Sequence, residues 1–221
     1  MSRSKSRRRR PPKKKSNSKK IILTVALLAV AVTIVAVYIM LGNNGTNESD
    51  STQNITSTQM KVLFETSMGN ITIQLRDDMP ITTGNFKNLV QEGVYDGTIF
   101  HRVIADFMIQ GGDPTGTGVG DPSIPNIQDE FSDNPENNKN VRGTVAMAKK
   151  GDPTTGQAIP DSGSTQFYIN VVDNNHLDNT YSVFGEVIEG MDVVDRILEV
   201  ATDANDRPLE EVTLIKAQLL D

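Results

Sequence analysis

The stretch Phe100-His101-Arg102-Val103-Ile104-Ala105-Asp106-Phe107-Met108-Ile109-Gln110-Gly111-Gly112-Asp113 sets a guanidinium, an imidazole and a carboxamide among apolar side chains. A guanidinium stays protonated and presents a rigid fork of donors, so Arg102 is suited to hydrogen-bonding work rather than proton transfer. Covalent chemistry has little to use here. The chain has no cysteine, which removes thiolate nucleophiles, disulfides, a lipoprotein anchor and cysteine metal sites. Its two histidines, His101 and His176, are too few for a multi-histidine metal site. Ser164 lies near Gln166, but no Gly-x-Ser-x-Gly elbow or other nucleophile arrangement accompanies it, which disfavours a hydrolase. Taken singly, Arg102 reads as a surface arginine and Gln110 as a polar strand residue. Phe107, Met108 and Phe167 each read as core. By strand alternation His101 faces away from Arg102 and reads as a structural histidine.

The elements that must carry these residues follow from periodicity. Lys61–Thr66 and Ile71–Leu75, joined by a glycine-containing turn, read as a hairpin. Pro80 to Glu92 reads as a helix, with Phe86, Leu89 and Val90 at helical spacing and Gly93 as its stop. Short apolar runs then return at 98–104, 107–110, 143–148, 165–171 and 182–187, separated by Gly/Asp/Pro/Asn-rich connections. A second short helix fits 191–200, with Val193, Val194, Ile197 and Leu198 on one face, and a last strand fits 211–220. The fold class is mainly β, an antiparallel barrel with two helices. The connections 112–141 and 149–164 are long, as functional loops often are.

Three ordered blocks resemble the cyclophilins: the FHR…FMxQGGD pattern of 100–113, then Gly143–Ala148 with Ser164–Ile169, then Leu177-Asp178 with Tyr181–Gly185. The resemblance spans about 61 to 220. It implies a closed eight-stranded antiparallel β-barrel capped by two α-helices, and peptidyl-prolyl cis/trans isomerase activity without cofactor or metal. X–Pro rotation is slow because it breaks amide resonance, with a barrier of ~18–20 kcal/mol. In the twisted transition state the imide nitrogen regains a lone pair, and a donor that meets it only there lowers the barrier. The resemblance gives that role to Arg102 and the steadying of arginine and substrate to Gln110. It gives the proline socket to Phe107, Met108, Tyr168 and Leu177. Ala148 and Lys149 fall where main-chain groups bind the residues before proline, and Gln166 lies beside that groove.

Departures from the family pattern bear on selectivity. His176 stands where tryptophan is common, which implies weak cyclosporin sensitivity. Tyr181 replaces a common histidine and keeps an aromatic socket wall. Tyr168 replaces phenylalanine, adding a hydroxyl expected at the socket rim. Lys149 replaces a common asparagine, and 150–163 is longer than usual. The alternative to an isomerase is a non-catalytic module that binds proline-containing peptides as a chaperone.

Composition divides the chain further. Residues 1–20 hold 11 Lys/Arg and no acid, 21–41 hold no charge, and the rest carries 11 bases against 28 acids, a net of −17. A 21-residue helix rises ~31 Å, enough to cross a bilayer core, so 21–41 reads as an uncleaved signal anchor in contact with membrane lipid. A cleaved signal peptide would have a shorter apolar region and a small-residue cleavage site. The basic cytoplasmic tail, 1–20, places the N-terminus inside and the rest outside, a single-pass protein of the cell membrane. The same basic run could serve nuclear import or nucleic acid, but an acidic body opposes nucleic-acid binding. Residues 42–59 form a polar flexible tether, and 60–221 form the isomerase domain, assumed monomeric. Asn-x-Ser/Thr sequons occur at Asn44, Asn47, Asn54 and Asn70. An exported, cysteine-free, single-span chain without a cleavage site suits a prokaryote, archaea included. The expected function is to accelerate X–Pro rotation in exported or surface proteins and so assist their folding.

Overall fold

The computed structural model describes residues 59–220. The basic tail, the apolar run 21–41, the tether up to residue 58 and three of the sequons lie outside the described residues; Asn70 is exposed at the start of a strand.

β1 (Lys61–Thr66) and β2 (Gly69–Leu75) form the expected hairpin, with Thr66 opposite Gly69. The Thr66 hydroxyl closes its turn by donating to the Gly69 carbonyl at 2.6 Å and accepting from Met68 N–H at 3.1 Å. Alternation sends Val62, Phe64, Ile71, Ile73 and Leu75 inward. Seven further strands follow: β3 (Thr98–Ile99), β4 (Arg102–Ile104), β5 (Met108–Gly111), β6 (Thr144–Met147), β7 (Phe167–Asn170), β8 (Val183–Glu189) and β9 (Thr213–Leu220). They hydrogen-bond antiparallel in the order β3-β9-β1-β2-β8-β6-β7-β5-β4.

This corrects the expectation of a closed barrel of eight strands. The run 98–104 breaks at Phe100-His101, so the described ladder is a curled antiparallel sheet of nine strands. Its two edge strands, β3 and β4, are consecutive in the chain. The break has a physical cause. Phe100 turns its ring into the core, edge-on to Phe167 at 6.3 Å, while Phe100 N–H and Val103 N–H bond the carbonyls of Val212 and Asp206. The chain thus leaves β9 at one end of the run and joins β5 at the other.

α1 (Pro80–Gln91) starts with proline in its first turn and ends before Gly93 at φ 71°, as its sequence suggests. Its N-cap, Met79, is buried and supplies no cap. The distant Glu130 carboxylate accepts from Ile81 N–H at 3.0 Å and Thr82 N–H at 2.8 Å instead. α2 (Met191–Leu198) buries Val193, Val194 and Ile197 and stops two residues short of the expected end.

The inside of the curl is filled. Phe64, Phe86, Tyr95, Phe100, Phe167 and Phe184 meet there, with Phe86–Phe184 centroids 4.8 Å apart and Phe64–Phe167 5.3 Å. Aromatic pairs of this kind add ~0.5–1.5 kcal/mol each beyond their area. The site therefore lies on the sheet's outer face.

Candidate active site

Strand alternation divides the central strands between two apolar clusters. Ile109, Val145, Met147, Phe167 and Ile169 enter the main core. Met108, Ala146, Tyr168 and Val183 form a second, smaller cluster, with Ile104, Phe107, Ala148, Leu177 and Tyr181 packed against it half-buried. Six residues expected to hold substrate meet here: Phe107, Met108, Ala148, Tyr168, Leu177 and Tyr181. Phe167 is core, as its single-residue reading had it.

Register aligns the polar and apolar parts. Arg102 pairs with Gln110, Gln110 with Tyr168, Tyr168 with Ala146 and Ala146 with Val183, one transverse row across five strands. Paired residues share a face, so the guanidinium begins a row that ends in the socket. The Arg102 side chain is 43% exposed, with Nε 3.7 Å from Asp206 Oδ2. Gln110 Nε2 donates to Gln166 Oε1 at 2.8 Å, and Gln166 Nε2 donates to the Gly118 carbonyl at 3.1 Å, which fixes both amides. Burial raises the Tyr181 phenol above its usual pKa, a shift that the positive charge of nearby Arg102 opposes. Tyr181 meets Tyr168 edge-on at 5.7 Å, and exposed His176 stacks on Phe107 at 5.9 Å.

The Tyr168 hydroxyl is not at the socket rim, which corrects the sequence reading. It is buried beneath the socket and donates to Asn140 Oδ1 at 2.7 Å; burial pushes its pKa far above the usual phenol value. A polar network continues from there. Asn170 Nδ2 donates to Asn140 Oδ1 at 3.2 Å and Thr144 Oγ1 at 2.9 Å, and Asn174 Nδ2 donates to Asn170 Oδ1 at 2.8 Å and the Phe107 carbonyl at 2.9 Å. Phe107 is thus tied to the floor of its own socket.

Beside the socket runs an open groove of about 540 Å³, lined by Gln110, Ala148, Lys149 and Gln166. It is lined also by Gly118–Asp121 of the long connection after β5 and by Lys150 and Gly151 of the long 149–164 connection. Asp113 organises the first loop. It accepts from the N–H groups of Thr115 at 2.9 Å, Gly118 at 2.6 Å and Gly120 at 3.2 Å. Burial pushes its pKa up, but these bonds outweigh burial and hold it below the usual value. Gly112 has φ 79°, and a Cβ there would lie 2.8 Å from both Phe167 Cδ1 and the Thr165 carbonyl.

Ala146, Val183, Ile104 and the Gly118–Asp121 wall were missed from sequence. Ala146 was findable, since it stands two residues before Ala148 in the apolar run 143–148. The loop wall carried no signal beyond its length. His101 is buried, and neither ring nitrogen has a hydrogen-bond partner; the neighbouring Gln166 amide is committed elsewhere. Burial lowers its pKa, Asp113 opposes this, and Arg207 and Arg102 add to it. Ser164 Oγ bonds the carbonyls of Ile124 and Pro125, so this serine is not paired with a histidine. What the site offers is an apolar cluster, a fixed pair of amides and a cationic donor, groups suited to holding a peptide without covalent chemistry.

This combination suits a protein that acts on peptides. Known proteins agree. The family model described as "Cyclophilin type peptidyl-prolyl cis-trans isomerase/CLD" matches residues 61–219. Peptidyl-prolyl cis-trans isomerase-like 1 of Homo sapiens is 42% identical over 157 residues, 71% of this chain and 90% of the relative. Peptidyl-prolyl cis-trans isomerase ppi1 of Schizosaccharomyces pombe is 42% identical over 162 residues, 72% of this chain and 98% of that protein. A cyclophilin type isomerase crystal structure from Cryptosporidium parvum superposes with a TM-score of 0.65 at 30% identity, covering 73% of this chain and 98% of that one. The chain belongs to the cyclophilin-type peptidyl-prolyl cis-trans isomerases. Its activity is therefore proline isomerisation, and its substrates are proline-containing peptides. The match covers 98% of that solved chain, so the described residues 59–220 span the whole of a domain that exists there as a separate protein.

Proposed function

We propose that Arg102 is the transition-state donor of this isomerase, that the Met108–Tyr168–Tyr181 socket holds the proline ring, and that the domain works outside the cytoplasm on exported or surface proteins. The row Arg102–Gln110–Tyr168–Ala146 carries the catalytic part, because its register sets donor and socket on one face. Phe107 and Leu177 complete the socket beside Met108, and exposed His176 widens its rim. Gln110, fixed by Gln166, steadies the guanidinium and the substrate backbone. Ala148 N–H is engaged with the Gln166 carbonyl at 2.9 Å, so Ala148 offers substrate its carbonyl. Rotation needs no proton transfer; the guanidinium donates to the imide nitrogen only as that nitrogen pyramidalises, which is differential binding of the transition state.

The location rests on residues 1–41, with a basic tail before an uncharged run of spanning length. The anchor touches membrane lipid, and the acidic body works as a monomer. The eukaryotic relatives reported above lend no support to a prokaryotic source. Two experiments test the reading. Protease added to intact cells that produce the full chain should remove the folded domain and leave a membrane-bound fragment; full protection would refute the orientation. Titration of a proline peptide should show Arg102→Ala retaining most of its affinity while losing its rate. A parallel loss of both would make Arg102 a binding residue rather than the transition-state donor, and a wild type that binds without accelerating would favour the binding-module alternative.

A further inference from the structure

We propose that Lys149 and Asp129 act as positioning residues for the proline socket, bracing the wall residue Tyr181 so that substrate meets a preformed pocket. This rests on the isomerase reading above.

Lys149 is set apart by where its charge goes. Its ammonium lies 2.7 Å from Asp129 Oδ2, and the two side chains are 4% and 18% exposed. In the other salt bridges among the described residues every side chain is at least 37% exposed. The residue as a whole is half-buried, so what Lys149 shows the groove is chiefly main chain. Taking two charges out of water is costly, and an apolar pair of the same volume often serves stability as well or better. A buried pair in this place therefore calls for a reason other than stability.

The geometry supplies one. The Lys149 ammonium sits 5.6 Å from the centroid of the Tyr181 ring, and Tyr181 meets Tyr168 edge-on. The acid that holds the ammonium is itself fixed from two sides. Asp129 N–H donates to Asp161 Oδ1 at 2.7 Å, and the next residue, Glu130, donates its N–H to Ser182 Oγ at 3.0 Å, beside Tyr181 in the chain. Ile127 also bridges Gly163. The strap 127–130 thus joins α1, the 149–164 connection and the socket wall, and Lys149 is where its charge meets that wall. Without the ammonium, Tyr181 must be ordered again each time substrate binds. Re-ordering one side chain weakens binding by about fivefold.

The test uses residues 56–221 as wild type, Lys149→Met, Lys149→Arg and the double variant Lys149→Met/Asp129→Asn. KM and kcat come from the isomerase assay, peptide affinity from titration, and folding from the urea midpoint. Lys149→Met should lower the midpoint by stranding Asp129, and the double variant should recover it. In both, KM and the peptide dissociation constant should rise about fivefold, with the loss falling on KM, and the Tyr181 ring resonances should shift. Lys149→Arg should return most of the affinity. A double variant that recovers both midpoint and KM would overturn the proposal and leave the pair a purely structural feature. A wild type that binds peptide but does not accelerate isomerisation would instead sink the isomerase reading, and the titrations would still decide the brace.

Discussion

The buried polar network beneath the socket yields a prediction whose size follows from its connectivity. Tyr168→Phe removes one hydroxyl and little volume. Its acceptor, Asn140 Oδ1, keeps the bond from Asn170 at 3.2 Å, so no acceptor is stranded and the cost is that of one net hydrogen bond, ~1 kcal/mol. Asn140→Ala differs in kind. It strands the buried Tyr168 hydroxyl, at ~1–3 kcal/mol, and leaves a small void worth ~1 kcal/mol more. Asn170 Nδ2 retains Thr144 Oγ1 at 2.9 Å and is not stranded. Asn140 Nδ2 already lacks a partner among the described residues, so its removal relieves part of the cost. Asn140→Ala should therefore lose ~2–3 kcal/mol. Adding Tyr168→Phe to Asn140→Ala removes the stranded donor, so the double variant should be no less stable than Asn140→Ala, a coupling of ~1 kcal/mol or more. Urea unfolding of residues 56–221, followed by far-UV circular dichroism at constant m, reads each step. Strict additivity, or a Tyr168→Phe cost above ~3 kcal/mol, would refute the reasoning, since it would mean that the hydroxyl serves something other than Asn140.

Acid should destabilise the domain in two stages, read as the thermal midpoint against pH. His101 has a folded pKa below its usual ~6.5, so the unfolded chain takes up a proton first and stability falls as pH drops below that value; His101→Gln should flatten this stage. Asp113 has a folded pKa below the usual ~3.9, so its contribution is complete above that value and is lost as pH falls through the folded one. Gly112→Ala should cost ~2–5 kcal/mol in urea unfolding, because the Cβ meets Phe167 and Thr165 and the φ of 79° strains any other residue. Glu130→Ala should cost ~1 kcal/mol in the same measurement through the lost cap on α1, and Glu130→Gln less.

The parts of the molecule that could be read in sequence are those where one local rule decides. The β1–β2 alternation, the proline start and glycine stop of α1, and the ordered FHR…QGGD block each carry their structure in a few adjacent residues. The break at Phe100-His101 was not visible, because it arises from Phe100 choosing the core against Phe167, a residue 67 positions away. The Tyr168 hydroxyl was misplaced for the same reason, since Asn140 reaches it from 28 positions away. Glu130 as the cap of α1 and Asp129 as the partner of Lys149 are likewise long-range pairings from irregular connections, where no periodicity constrains the chain. The site residues legible in sequence were those inside the three family-like blocks, on strands (Met108, Tyr168) and on connections (Phe107, Leu177, Tyr181) alike; pairings made across the fold by residues outside those blocks were not.

The central claim is that Arg102 accelerates X–Pro rotation from one end of the socket row. It is tested most directly by a protease-coupled isomerase assay on residues 56–221, wild type against Arg102→Ala, with urea midpoints confirming that both are folded. The account predicts clear acceleration by the wild type and a loss of about 2–4 kcal/mol of transition-state stabilisation in Arg102→Ala, the span typical of removing one such donor. A folded wild type without acceleration, or an Arg102→Ala variant as active as the wild type, would contradict it.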